Sequence, residues 1–407
     1  MARSYPSPAA SPAVPVGNSL RFDRLGIIIA ALIVAGGAAL PFVTFKANRI
    51  VLGDALPISA ALQSGYAIFL YGVIIVGIGT ALIRLQSLWR LAIGFGALIA
   101  LSLLLGVAAS FLTPDGNNIA RISPASGFWM LIFAFSLMVT DALTRLQLGA
   151  YARLGLMLLV ALAIAAALWG GVWSDTSLLR EYANRGSAFW MQAQTHIALS
   201  FGSLLAATVL GIPLAILCYR RQKLRSAVLN ILNVVQTIPS LALFGLLIAP
   251  LAWLAANIPY AAKLGVSGIG FAPAMLALFG YSLLPIVANT LAGLQATPET
   301  VRQAAKGMGM TDRQILLQAE LPLALPVILT GIRIVLVQNI GLATIAALIG
   351  GGGFGVFVFQ GIGQTAMDLV LLGAVPTVAL AFAAAIILDA LVELASPQKS
   401  GQTGSSA

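Results

Sequence analysis

Long apolar runs separated by short polar breaks organise this chain. They cover residues 25–43, 66–83, 91–112, 127–143 and 154–172, then 195–219, 227–254, 270–294, 323–349 and 369–391. A helix of about 20 apolar residues crosses the hydrocarbon of a bilayer. The pattern therefore predicts an all-α polytopic membrane protein with about ten transmembrane helices, in two groups of five. The first run could be read as a signal peptide, since Gly37-Ala38-Ala39 is small enough for cleavage, but its 19 residues fit a full span better.

The polar breaks set the domain boundaries. Residues 1–24 are rich in Pro, Ser and Ala and predict a disordered tail, and residues 395–407 form a second, C-terminal tail. Residues 25–172 form an N-terminal transmembrane extension. Residues 173–194 form a wetter connector carrying Trp173, Asp175, Arg180, Glu181, Arg185 and Trp190, whose aromatics suit a membrane interface. Residues 195–394 form a second five-span domain.

One sizeable polar stretch, residues 297–322, lies inside that second domain. Thr297 can cap an opening helical turn, with Pro298 where a missing N–H costs nothing. Thr311 and Gln314 have the spacing of a capping box for a second helix, and Gly307 and Gly309 between them permit a sharp turn. Helix-turn-helix shape alone would admit DNA. However, Arg302, Lys306 and Arg313 are matched by Glu299, Asp312 and Glu320, which leaves a phosphate backbone little to hold.

Composition agrees with the pattern: 60% of residues are hydrophobic and 8% charged, and the mean hydropathy is +0.99. The net charge of +10 raises nucleic acid as a partner, but in a membrane protein excess Lys and Arg mark cytoplasmic loops. Counted on alternate sides of the ten spans, sixteen basic residues fall on the side of both termini and the polar stretch, against six on the other. Both termini and residues 297–322 are thereby expected in the cytoplasm, and residues 173–194 outside it. No nucleic-acid partner is expected.

Polar residues within the second group of spans lie at helical spacing. Asn230, Asn233, Thr237 and Ser240 are three, four and three apart, with Gln236 beside them and Pro239 interrupting the backbone ladder; Asn289, Thr290, Gln338, Asn339 and Thr344 mark the next two spans. Such residues either bond between helices or line a solute pathway, and both readings stay open. The run Gly350-Gly351-Gly352-Gly353-Phe354-Gly355 predicts an irregular outer loop. A single cysteine, Cys218, excludes an internal disulfide, and a single histidine, His196, gives no zinc constellation. No Gly-Lys dipeptide occurs, so there is no Walker A loop, and nucleophilic catalysis has few residues to use. The chain reads as a transport subunit and not an enzyme.

Gln303-Ala304-Ala305, Gly309 and Leu321-Pro322 follow the spacing of the EAA loop. The chain thus resembles the permease subunits of binding-protein-dependent ABC importers. Gly211-Ile212-Pro213, Gln236-Thr237-Ile238-Pro239-Ser240, Leu284-Pro285-Ile286-Val287, Gly307-Met308-Gly309-Met310-Thr311 and Ala346-Ala347-Leu348-Ile349-Gly350 are similar to permeases for glycine betaine, choline and carnitine. The resemblance implies a five-helix permease core over residues 195–394, preceded by the extension of one osmoprotectant subgroup. It implies that Gln303, Ala304, Ala305, Gly307, Gly309, Leu321 and Pro322 form a coupling helix for a cytoplasmic ABC ATPase pair. ATP and Mg would sit on that partner, and this chain would hold no cofactor and no metal. It further implies an extracytoplasmic substrate-binding protein, a second permease subunit that is a copy or a relative, and a bacterial inner-membrane setting. The family's Glu is Gln303 here and its Ile is Ala319. On this reading Asn230, Asn233, Gln236, Thr237, Ser240, Asn289, Gln338, Asn339 and Thr344 are the candidate pathway residues. The rival reading is an ion-coupled secondary transporter built as a 5+5 inverted repeat, with Gly36-Gly37 marking a broken helix.

Overall fold

The computed structural model describes residues 24–48, 51, 53–83, 85–113, 117 and 119–396. Apart from Arg24, Ala395 and Ser396, the two expected tails lie outside the described residues. The chain divides into two compact units, one formed by Met1–Val43, Ala55–Leu104 and Pro124–Leu146, the other by Thr44–Asp54, Leu105–Ser123 and Gln147–Ala407.

The helices of the first region are α1 (Arg24–Val34), α2 (Ile58–Ala61), α3 (Ser64–Leu82), α4 (Ser87–Leu112) and α5 (Ser126–Leu146). In the first unit α1 packs against α3 and α5. The first span is shorter than residues 25–43: a π turn, Ala35–Ala39, follows α1, and Leu40 is already extended. Gly36 and Gly37 allow this turn to sit tight, since a Cβ at Gly37 would lie 2.7 Å from Ile74 Cδ1. Arg90 is fully buried and sits 3.1 Å from Asp141, which also holds Arg145 at 3.0 Å. A cation inside an apolar bundle persists only when paired in this way. Three short strands, β1 (Val43–Lys46), β2 (Asp54–Leu56) and β3 (Arg121–Pro124), depart from the all-helical expectation and pair in the order β2-β1-β3, most of their residues falling in the second unit.

The second unit contains α6 (Ala150–Trp169), α7 (Ser177–Arg220), α8 (Gln222–Thr237), α9 (Ser240–Asn257), α10 (Phe271–Gln295), α11 (Glu299–Gly307), α12 (Asp312–Ile315), α13 (Leu321–Ile345), α14 (Gly355–Gly363) and α15 (Met367–Ala395). Here α10 is central and packs against α7 and α13, while α13 packs on α15. Their shared core includes Ala207, Ile286, Val335, Ile340 and Ala384. The last expected span of the extension, α6, groups with this unit. Its Arg153 pairs with Asp389 and Glu393 of α15, Arg333 of α13 pairs with the same Asp389, and Glu393 accepts the backbone N–H of Ala150 at 3.0 Å.

Among the described residues, nine helices are long and apolar enough to cross a membrane, and Arg24–Ala39 is a shorter apolar one. Three details differ from the sequence expectation. Residues 177–194 are helical and lead into the span as two helical segments that meet at a kink, where Arg185 has non-helical backbone (φ −128°, ψ 21°). The run 227–254 is two helices, because Pro239 cannot donate and the chain turns extended at Ile238. The glycine run is followed by a further helix, α14, that the period of the sequence does not announce.

Candidate functional site

The polar stretch folds as a helix, a glycine turn and a second helix. The expected cap at Thr297 does not form: Pro298 occupies the cap position and the Thr297 hydroxyl is buried without a hydrogen-bond partner, because its own N–H turns back to Leu294 beneath the end of α10. The capping box at Thr311 does form, with Thr311 N–H donating to Gln314 Oε1 at 2.8 Å and Gln314 N–H to Thr311 Oγ1 at 3.4 Å. Between them Gly309 adopts φ +80°. Its N–H donates to Lys306 at 2.9 Å and that of Met310 to Ala305 at 3.1 Å, the two-bond C-terminal closure that a left-handed glycine permits.

The second helix does not stop at Leu321-Pro322. α12 passes through a π turn, Leu316–Glu320, straight into α13. Pro322 falls in the first turn of α13, where its missing N–H is absorbed by the wider π turn. Leu321 is half-buried and Pro322 exposed.

The face presented by α11 is narrower than the sequence suggests. Gln303, Ala304, Gly307 and Gly309 are exposed, and Met308 between the glycines is 75% exposed. Ala305 is 3% exposed: it packs inside the chain and offers no surface to a partner. Arg302, which spacing does not single out, reaches inward. Its Nε donates to Glu320 Oε1 at 2.6 Å, its Nη2 donates to Leu294 O at 3.2 Å and to the Tyr219 hydroxyl, and its guanidinium lies 5.3 Å from the Tyr219 ring centre. The Tyr219 hydroxyl in turn donates to Glu320 Oε1 at 3.0 Å.

The candidate pathway residues divide by burial. Asn230, Asn233 and Thr237 are exposed on α8, but the shared face ends there, since the break at Ile238-Pro239 separates them from Ser240. Gln236 is turned to α10 and donates to the Tyr281 carbonyl at 2.8 Å, while the Tyr281 hydroxyl donates to the Ile238 carbonyl at the break. Asn289 donates to its own helix at Pro285 O (2.8 Å) and sits in a notch left by Gly331, where a Cβ would lie 2.7 Å from Asn289 Cβ. Gln338 and Thr344 are half-buried. Asn339 is fully buried, so it lines no surface of this chain. Its amide joins α13 to α7 and α10 through Ser203 and Ser282, each at 2.8 Å.

At the other end of these helices the glycine loop is held by two side chains one turn apart on α7. Gln192 Oε1 accepts the Gly353 N–H at 2.7 Å and His196 Nδ1 that of Phe354 at 3.3 Å. Gly350, Gly352 and Gly353 all have φ near +80°. His196 is therefore more than a plain helix residue, a role that spacing could not show because its partner lies 158 residues away.

Known proteins carry the same signals. The family described as "Binding-protein-dependent transport system inner membrane component" matches residues 207–400, and the N-terminal domain of the ABC transporter permease YehY matches residues 23–179. The osmoprotectant import permease protein OsmW of Salmonella typhimurium is 42% identical over 196 residues, 48% of this chain and 83% of that protein. The choline transport system permease protein OpuBD of Bacillus subtilis is 36% identical over 228 residues, 56% of this chain and 94% of that protein. The glycine betaine/carnitine/choline permease OpuCD of Bacillus subtilis is 36% identical over 219 residues, covering 54% and 89%. This chain belongs to the binding-protein-dependent family of multi-pass ABC importer permeases, with a YehY-type N-terminal domain ahead of the permease domain.

Proposed function

We propose that this chain is the permease of an ATP-driven importer for a small osmoprotectant of the glycine betaine, choline and carnitine class. Three relatives, each matched by this chain over 83–94% of its own length, carry those solutes, or osmoprotectants generally, in their names. The coupling role rests on one observation: α11 shows Gln303, Ala304 and Gly307 outward, with Met308 just beyond them, on a helix closed at its C-terminus by the Gly309 turn, while its other face is tied into the bundle. Such a tip suits the groove of an ABC ATPase pair, which would carry ATP and Mg. The charge bias puts this tip and both termini in the cytoplasm.

The solute chemistry follows from the polar residues. A quaternary ammonium group has no N–H to donate and is held through cation–π and Coulomb attraction. Asn230, Asn233 and Thr237 offer neutral amide and hydroxyl groups on the exposed side of α8, facing what would be a second permease subunit. Neutral groups pass a cation without trapping it, so affinity would reside in the extracytoplasmic binding protein. The test is uptake of radiolabelled choline, glycine betaine and carnitine, each in turn, into cells lacking other systems but expressing this chain with its partners. Uptake inhibited by excess glycine betaine or carnitine, and unaffected by excess methionine, is expected; no uptake of any of the three would overturn the solute class.

A further inference from the structure

Arg302 occupies a junction that no motif of the loop accounts for. The residue sits on α11, yet its guanidinium reaches the ends of three membrane helices: Tyr219, next to the last residue of α7, the Leu294 carbonyl in the last turn of α10, and Glu320, where the π turn enters α13. Glu320, 6% exposed, accepts from both Arg302 and Tyr219 through one oxygen, and the guanidinium lies over the Tyr219 ring, 5.3 Å from its centre.

Three physical points make this junction a transmission point and not a surface ion pair. Its carboxylate is buried, so the pair is poorly screened and geometrically specific. Arg supplies a planar fork that one Lys could not reproduce across three acceptors. Furthermore, α12 runs without a break through the π turn into α13, so displacement of the loop is carried into a membrane helix and not absorbed by a hinge. Arg302 Nη1 also donates to the exposed Glu299 carboxylate one turn back at 3.4 Å, a longer contact than the 2.6 Å one to buried Glu320.

We propose that Arg302, Tyr219 and Glu320 are positioning residues that link the coupling helix to α7, α10 and α13 and so convert ATPase movement into opening of the permease. This inference rests on the coupling role proposed above for α11. It separates two jobs on one short helix: the outward face recruits the ATPase, and the inward face transmits its stroke.

The experiment uses the full importer, permease with ATPase and binding protein, in vesicles. It measures ATPase copurified per permease, ATP hydrolysed, and solute taken up per ATP. Tyr219→Phe, Glu320→Gln and Arg302→Lys are each expected to keep the wild-type amount of bound ATPase while solute per ATP falls roughly 2- to 30-fold, the span for a residue coupling two sites. The double variant Tyr219→Phe with Glu320→Gln should be no worse than the worse single one, because both break the same junction. Unchanged solute per ATP in the variants, additive losses, or loss of bound ATPase would overturn the proposal. If Glu320→Gln does not accumulate in the membrane, Tyr219→Phe alone decides, since it removes one oxygen and keeps the ring. A wild-type importer that shows no ATP-dependent uptake would instead overturn the coupling role itself.

Discussion

The side-chain amide of Asn339 donates to the Ser203 hydroxyl at 2.8 Å, and that hydroxyl spends its own proton on the Leu199 carbonyl of α7, 2.6 Å away. The same amide reaches Ser282 of α10, whose hydroxyl is likewise committed to Leu278. Each serine is thereby oriented as an acceptor, and one asparagine fastens three helices. Interhelical bonds of this kind are worth about 0.6–2 kcal/mol each in a membrane. Asn339→Leu is expected to lower the thermal unfolding temperature in detergent, and Ser203→Ala to do so less, because Ser282 still accepts. A solute pathway residue would behave differently: uptake would change while stability held.

A second fastening closes the helix break. Tyr281→Phe removes the donor to the Ile238 carbonyl but leaves the Tyr281 carbonyl that accepts from Gln236. A loss of about 1 kcal/mol is expected, read as a lower unfolding midpoint, and Gln236→Leu in the same background should add to it. No loss in either variant would mean that the break holds without α10.

The exposed tip of α11 makes a specific forecast for assembly. Ala304→Trp should block ATPase copurification while the permease still inserts, since Ala304 is exposed and a large side chain there prevents close docking. Gly309→Val should do the same by opposing a φ of +80°. Ala305→Trp should instead cut the yield of folded permease, because Ala305 is buried within the chain. Gln303→Glu, which restores the family carboxylate, should leave assembly intact.

Orientation has a direct probe. In a Cys218→Ala background, Met308→Cys and Leu264→Cys place thiols at positions 75% and 83% exposed. The charge bias predicts that an impermeant reagent labels Cys at 308 only from the cytoplasmic side and Cys at 264 only from the other. Labelling of both from one side would contradict the orientation.

Several of these elements were legible in the sequence because their causes are local. The capping box of Thr311 and Gln314 depends on residues three apart, the left-handed turn on Gly309 itself, and the spans on runs of apolar residues. The break at Pro239 was visible as a residue lacking an N–H, but where the helix restarts depends on α10, through Tyr281. What could not be read is whatever joins distant segments. Arg302 and Tyr219 are 83 residues apart, and Gln192 and Gly353 are 161 apart. A polar residue in a span looks the same whether it faces a pathway, as the exposure of Asn230 allows, or another helix, as the burial of Asn339 dictates. Ala305 shows the same limit, since a small residue fits a partner groove and an intramolecular contact equally well.

The source of energy for uptake separates the two transport classes most directly. Purified permease is reconstituted into vesicles with its ATPase, with ATP enclosed on the ATPase side, binding protein on the other, and labelled choline, glycine betaine or carnitine added. Accumulation is expected only when ATP, ATPase and binding protein are all present, and it should cease when any one is omitted, even under an imposed sodium or proton gradient. Accumulation driven by such a gradient through this chain alone would contradict the assignment and favour an ion-coupled secondary transporter.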